Sequence, residues 1–419
     1  MSGLRFTMEM ENLQNNNPEK SILEQIINNQ KAEEAANLDA VEIVRQLFLD
    51  LNDRERDVLS RRFGLSNQIK ETLENIGSAH KLTRERIRQI ENSGIKKLRT
   101  LKDLEQKINS LRKVIIELLD EHGGIMERDY LLSALVNFSV GSVDKEEAVN
   151  IHKNHLEFLV SKLLHENFEE VTETKHFKNS FKLKYQAIDH LEELAEELIT
   201  KVKEVKSVMM TEDLFELTKQ LDNYKSNETK LNPTQVLDLS NILGGELFNE
   251  KADLVNANKA LYSIFQASKD IEQNKFGHWG LADWREIRPK TINDKIYLIL
   301  KNQAKPMHFV DITKKINEIS FDDKEANAAT VHNELILDKK YVLVGRGLYG
   351  LKEWGYKTGT VVDVIKDVLE KAQEPLSRDK IIEKVLEQRL VKRATIVLAL
   401  MDKKIFEKNS DNKYYVVTA

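Results

Sequence analysis

The sequence contains no cysteine. Disulfides, thiolate catalysis and cysteine-type zinc sites are therefore excluded, and the absence fits a reducing compartment. Only 5 prolines and 16 glycines occur in 419 residues. That is too few for a turn-dense all-β fold or for extended low-complexity segments. No apolar run approaches the roughly 18 residues needed to cross a bilayer. Residues 1–17 are polar and lack the apolar stretch of a signal peptide. A cytoplasmic protein without membrane contact is expected. The sequence also has no Gly-rich phosphate loop and no paired-carboxylate nuclease motif with a nearby lysine. No enzymatic activity, cofactor or metal is expected from it.

What is present is charge and helix-forming sequence. Hydrophobic residues make up 41% and charged residues 32%, a globular balance in a chain long enough for several domains. Runs dense in Leu, Ile, Glu and Lys predict a mainly helical protein. The formal net charge is −5, which at first argues against a nucleic-acid partner. The charge is unevenly placed, however. From His80 to Arg99 seven bases (Lys81, Arg84, Arg86, Arg88, Lys96, Lys97, Arg99) face two acids, Glu85 and Glu91. That segment carries +5 and the rest of the chain −10. A nucleic-acid footprint is local, so a single basic helix suffices for one.

The chain divides by pattern. Residues 1–36 read as a polar tail with one amphipathic stretch, Ile22–Ile27. Residues 37–110 form the basic module. Beyond it a pattern repeats: Trp279-Gly280-Leu281-Ala282-Asp283-Trp284 returns as Tyr349-Gly350-Leu351-Lys352-Glu353-Trp354, 70 positions later. Each copy follows helical sequence and a short β-prone run, as in Tyr341–Val344. Three helices and a two-stranded hairpin make a winged helix. Such units are expected over 111–185, over 186–290 with a polar insert at Asp222–Asn232, over 291–357 and over 358–419. The fold class expected is mainly α: a helix-turn-helix domain, then tandem winged-helix domains with short β-hairpin wings.

The basic module shows how a duplex reader is built. Leu51, Val58, Leu59 and Phe63 share one helical face. Asn52 or Asp53 caps that helix and Gly64 ends it. Thr72 caps the next helix, and Gly77 is small where another helix crosses. After a turn through His80, Lys81 and Leu82, Thr83 caps a third. Its inner stripe is Ile87, Ile90, Gly94 and Leu98, with Ile95 beside it. Arg84, Glu85, Arg88 and Gln89 are left facing outward at its N-terminal end. Arg reads guanine O6 and N7, Gln reads adenine N6 and N7, and Glu accepts from cytosine N4. In a helix-turn-helix these N-terminal positions reach the base edges.

Residues 49–103 closely resemble region 4 of primary-type bacterial sigma factors, the reader of the −35 promoter element. The string Leu82-Thr83-Arg84-Glu85-Arg86-Ile87-Arg88-Gln89-Ile90-Glu91 carries the resemblance, supported by Leu51–Gly64 and Thr72–Gly77. It implies base contacts by Arg84, Glu85 and Gln89, and base or phosphate contacts by Arg88 and Arg86. Arg54, Arg62, Thr72 and Leu73 would anchor the DNA backbone, with Thr83 and Lys96 completing the phosphate set. Ser93 stands where the family often carries a base. The aromatic and basic cluster that melts the −10 element does not precede this module, so initiation of transcription by this chain alone is not expected. The implied partners are promoter double-stranded DNA and RNA polymerase.

Residues 291–357 resemble a second family, the HARE-HTH winged helix shared by the delta subunit of Gram-positive RNA polymerase, some restriction endonucleases and chromatin factors. Thr291–Ile296, Lys305–Phe309, Thr330–Leu335 and Gly345–Leu351 carry it. Gly345, Arg346 and Gly347 would form the wing turn, because glycine adopts positive φ freely, with Arg346 placed to touch phosphate. Two readings of this module stand at this point, DNA binding and protein binding. His308 and His332 suit capping and core roles rather than metal ligation. Trp279, Trp284 and Trp354 suit the wing-to-helix core. Two functions follow: a sequence-specific DNA-binding transcription regulator, or an accessory protein that binds RNA polymerase.

Overall fold

Asp39 begins the first described helix by accepting the Val41 and Glu42 backbone N–H groups on its carboxylate. The computed structural model describes residues 38–66, 69–140, 146–164, 166–172, 174–234, 237–239, 251–357 and 359–417. The expected tail and its amphipathic stretch lie outside these. Two compact units are formed: one from the described part of Met1–Val205 with Thr211–Ile271, the other from Lys206–Met210 with Glu272–Ala419. Helices dominate, with small antiparallel sheets of two and three strands.

The first unit opens with α1 (Ala40–Leu47), α2 (Asp53–Phe63), α3 (Leu73–His80) and α4 (Arg84–Arg99). It continues with α5 (Leu104–Glu121), β1 (Ile125–Glu127), α6 (Arg128–Val140), α7 (Glu146–Phe158), β2 (Phe168–Val171) and β3 (Ser180–Leu183). β3 lies between the other two strands, pairing Phe181 with Met126 on one side and with Glu170 on the other. The order from α5 is helix, strand, helix, helix, strand, strand, with the last strand central. That is a winged-helix-like arrangement, and Ser180–Leu183 is the strand its β-prone sequence predicts.

The same order recurs. In the second unit α14 (Ile292–Gln303), β6 (Met307–His308), α15 (Phe309–Ile319), α16 (Ala328–Leu337), β7 (Tyr341–Gly345) and β8 (Leu348–Leu351) follow it, with β8 central. Their core is one cluster that includes Ile296, Ile299, Leu300, Ile312, Val331 and Leu335. After them come α17 (Val361–Ala372), α18 (Arg378–Gln388), α19 (Arg393–Leu400), β9 (Phe406–Lys408) and β10 (Tyr414–Val416). Here Leu376 supplies the first strand as a single antiparallel bridge to Tyr414, around a separate core of Val364, Ile365, Ile381, Val385 and Ile396.

The stretch 186–290 has the same order but not one body. Its helices, α8 (Asp189–Val205), α9 (Thr211–Lys219), α10 (Asp222–Ser226), α11 (Glu228–Leu231), α12 (Ala252–Asn256) and α13 (Lys259–Ala267), belong to the first unit. Met209 and Trp279, which exchange backbone hydrogen bonds of 3.0 and 2.8 Å, belong to the second. The chain crosses between units on β4 (Ile271–Gln273), ahead of β5 (Trp279–Leu281). The polar insert is helical: Glu197 accepts the Asp222 and Asn223 N–H groups, and Tyr224 and Leu231 are buried.

The repeated Gly-Leu motif has a packing reason. A Cβ on Gly280 would sit 2.8 Å from the Trp284 ring, and one on Gly350 would sit 3.1 Å from the Tyr356 ring. In both copies the glycine of the central strand makes room for an aromatic from the following turn. Trp279 is fully buried, while Trp284 and Trp354 are half-buried. His308 caps α15 by accepting the Val310 N–H, and His332 stacks on Phe309 with 4.4 Å between ring centroids. At the wing turn only Gly347 has positive φ, at +67°. Gly345 does not, so its predicted left-handed role is corrected. A Cβ there would lie 3.0 Å from the Leu390 carbonyl, and close approach is what that position requires.

Candidate nucleic-acid interface

The three helices of the basic module are set by local signals. Asn52 and Glu55 form a reciprocal capping box at the start of α2, and Gly64 ends that helix at φ 66°. Thr72 Oγ1 accepts the Asn75 N–H at 3.2 Å, and Thr83 Oγ1 accepts the Arg86 N–H at 3.2 Å. Between the two helices Lys81 adopts the left-handed conformation, φ 56°. Val58, Ile76, Ile87 and Ile90 form the core, with Leu73 and Leu82 against it. The stripe predicted for α4 (Ile87, Ile90, Gly94, Ile95, Leu98) is buried throughout.

Burying that stripe leaves the opposite face to solvent. Arg84, Glu85, Arg86, Arg88, Gln89 and Lys96 are all exposed. The N-terminal side chains hold one another. Glu85 and Arg88 form a two-point pair at 2.8 and 2.7 Å, and Arg88 holds the Glu85 carboxyl below its ordinary pKa. Arg86 donates to the Gln89 side-chain Oε1 at 3.0 Å. Arg84 lies 3.6 Å from Glu74, which brings the first turns of α3 and α4 side by side. Thr72 is exposed beside that junction.

The remaining predicted contacts sort differently. Arg54 is exposed on the first turn of α2. Arg62 is half-buried and donates to the Glu71 carbonyl at 3.0 Å, with Glu91 at 3.9 Å, so its guanidinium fixes the approach to α3. The Leu73 side chain packs on the core, and the Thr83 hydroxyl is committed to its cap. Phe63, expected on the inner face of α2, instead meets Phe158 of α7 at 4.9 Å between centroids. Leu51 is buried just ahead of α2 rather than within it.

Residues 47–100 match the family model for sigma-70, region 4.

Over 49 residues the chain is 59% identical to the RNA polymerase sigma factor SigA of Lactococcus lactis subsp. cremoris, covering 12% of this chain and 14% of that protein. SigA of Lactococcus lactis subsp. lactis (strain IL1403) is 59% identical over 49 residues, 12% and 13% of the respective lengths. The chain therefore spans only a small part of the length of these relatives. No solved structure matches it. The region 4 match ends at residue 100, before the winged-helix-like units.

The region 4 segment also contains a buried charge that sequence reading missed. Glu55 is 5% exposed. Its carboxylate takes the Lys97 ammonium at 2.7 Å, the Ser93 hydroxyl at 3.2 Å and the Asn52 N–H at 3.3 Å. Ser93 thus braces α4 against α2. The signal was present, since Glu55 is N3 of a capping box, but its 42-residue reach to Lys97 was not local. Burial pushes the Glu55 pKa up, and the bonds from Lys97 and Asn52 outweigh it, holding it below 4.5. A carboxyl depressed on folding stabilises the fold above its unfolded pKa and loses that contribution as pH falls through the folded value. The thermal midpoint of this segment is therefore expected to fall on the acid side of pH 4.5. Glu55→Gln is expected to flatten that dependence, and equal pH profiles for both proteins would remove Glu55 as the cause.

Among the described residues no group of three or more His, Asp or Glu side chains is placed to hold a metal ion, and no helix is long and apolar enough to cross a membrane.

Proposed function

We propose that the chain is a sequence-specific DNA-binding transcription regulator that acts at promoter DNA, with α4 as its recognition helix in the major groove. One observation carries this reading: the exposed N-terminal end of α4 presents Arg84, Glu85, Arg88 and Gln89 within the segment that matches the family model for sigma-70, region 4. In the free protein these groups are paired with one another or with Glu74 and Arg86, so reading a base exchanges an internal contact for one to a base edge. Arg84, Arg88 and Gln89 take purine acceptors, and Glu85 accepts from cytosine. Thr72, Arg54, Arg86 and Lys96 contact phosphate, with the backbone N–H groups at Leu73 and Thr83. Arg62 acts by positioning.

In this reading the chain is organised as a region 4 module over 37–110 followed by four winged-helix-like units over 111–185, 186–290, 291–357 and 358–419. RNA polymerase is the protein partner, and the protein works in the cytoplasm. The second reading, an accessory polymerase-binding protein, is favoured by one feature. α16, the third helix of the unit at 291–357, has no Lys or Arg and leaves Ile336 and Leu337 exposed.

The test is an electrophoretic mobility shift on a duplex with a TTGACA-type −35 element against a scrambled duplex, across a salt series. Arg84→Ala and Gln89→Ala are each expected to cost about 1–3 kcal/mol on the specific site alone. If both variants bind like wild type, α4 is not the reader. If no duplex is bound, the polymerase-binding reading takes its place, and co-purification with polymerase in the absence of DNA decides it.

A further inference from the structure

The winged-helix-like units of the second unit differ in charge where such folds meet a ligand, on the third helix and the wing. In the unit at 291–357 the third helix, α16, has no cation. Of the bases from it to the wing, Lys340 is held 3.4 Å from Asp338, while Lys339 and the wing residue Arg346 are exposed. Strand β7 is also engaged: the Val344 carbonyl accepts the Leu390 N–H at 3.1 Å, and the Leu343 carbonyl accepts from the buried Arg389 at 3.0 Å. The β7 edge is therefore covered by the turn between α18 and α19.

The C-terminal unit is more basic over the same elements. From Lys392 to Lys413 it carries six bases (Lys392, Arg393, Lys403, Lys404, Lys408 and Lys413) against three acids, Asp402, Glu407 and Asp411. All six bases are exposed. Lys392 and Arg393 start α19, Lys403 and Lys404 follow it, and Lys408 and Lys413 flank the turn of the β9–β10 hairpin. The acids offset half of that charge and leave a net +3. Asp402 caps its own turn by accepting the Lys404 N–H, and Glu407 accepts the Tyr415 hydroxyl at 2.8 Å. Within the described residues none of Lys392, Arg393, Lys403, Lys404 and Lys413 forms an ion pair, whereas Arg84, Arg88 and Lys97 of α4 each do.

We propose that this third helix and wing form a second nucleic-acid site, which grips the phosphate backbone of duplex DNA without regard to sequence. The chemistry required is a row of unpaired, solvated cations on a rigid scaffold, which supplies affinity through counterion release. The position on helix three and wing favours a duplex over a flat anionic membrane, since those elements straddle a groove and its flanking phosphates. The exposed Leu398 and Met401 on and just after the same helix suit apolar contact within a groove. Arg389, just ahead of α19, is buried in the joint with β7 and takes no part. The proposal does not depend on the reading of α4.

The experiment uses the full chain and a 30-base-pair duplex (a chosen length, roughly three helical turns) that lacks any −35 element. Lys392→Ala/Arg393→Ala/Lys403→Ala/Lys404→Ala is compared with wild type over a salt series. The four residues are exposed, so an unchanged melting temperature checks folding, and Lys403→Ala/Lys404→Ala serves as a milder second variant. The quadruple variant is expected to bind roughly tenfold or more weakly near 0.1 M salt. Its log K against log salt slope should flatten by about 0.9 for each phosphate it no longer neutralises. The same weakening should appear in an Arg84→Ala/Gln89→Ala background, which separates this site from α4. Equal affinity and slope in wild type and both variants would overturn the proposal. So would loss of binding to phosphatidylserine vesicles with DNA binding unchanged, which would make the patch a membrane site.

Discussion

Lys259→Met is expected to lower the unfolding free energy of the first unit by about 3–5 kcal/mol. Lys259 is fully buried, and its ammonium donates to the Glu121 carboxylate and to the Leu237 carbonyl. Glu121, 3% exposed, also accepts the Leu237 N–H at 2.9 Å. The pair therefore clamps both backbone groups of Leu237. Removing the cation leaves a carboxylate in a dry site with its main partner gone, and that penalty exceeds the lost attraction. The surroundings do not accept charge easily: burial pushes His122, next in sequence to Glu121, down to about 3. Replacing both partners, as Lys259→Met/Glu121→Leu, is expected to cost much less than the single change, because no charge is stranded. Urea titrations of the four proteins give the cycle. A single variant costing less than about 1 kcal/mol would show that the pair is not desolvated as described.

Gly77→Val is expected to cost about 3 kcal/mol and to abolish specific duplex binding, and Gly77→Ala to cost about 1–3 kcal/mol. A Cβ at Gly77 would lie 2.7 Å from the Leu82 carbonyl oxygen, with Arg84 N and the Ile87 side chain each at 3.7 Å. The 2.7 Å neighbour is backbone, so it cannot swing aside. The Leu82 N–H donates to the Gly77 carbonyl at 2.9 Å, which fixes the same crossing from the other side. A side chain there pushes the turn off α3 and carries the start of α4, with Arg84 and Gln89, away from its place. Ala79→Ser, at an exposed position of α3, is the control and should change stability by no more than about 0.5 kcal/mol. A Gly77→Val protein with wild-type stability and wild-type duplex affinity would mean that the two helices do not cross as tightly as this.

The sequence by itself determined the local architecture of the reading module. Asn52, Thr72 and Thr83 cap the helices they were expected to cap, and Gly64 ends the helix it was expected to end. Those are short-range hydrogen bonds between groups only a few residues apart, and the residue type decides them. The 3.6-residue stripe of α4 likewise fixed which of its faces is buried and so which side chains are left to solvent. Tandem winged-helix-like units were legible from one repeated motif because that motif marks a central strand and the glycine that an aromatic packs upon.

Only the tertiary structure decided the rest. It took Phe63 out of the module's core and set it against Phe158, and it committed Arg62 to Glu71 and Glu91. It assigned Glu157 to two bases, Lys70 at 2.7 Å and Arg128 at 2.6 Å. It joined Glu121 to Lys259 across 138 positions, laid Leu390 along β7, and left the bases of α19 and its wing facing solvent. No residue-type preference encodes such choices. A charged side chain looks the same in sequence whether it meets an opposite charge, a carbonyl or water, and which one it meets depends on where distant elements pack.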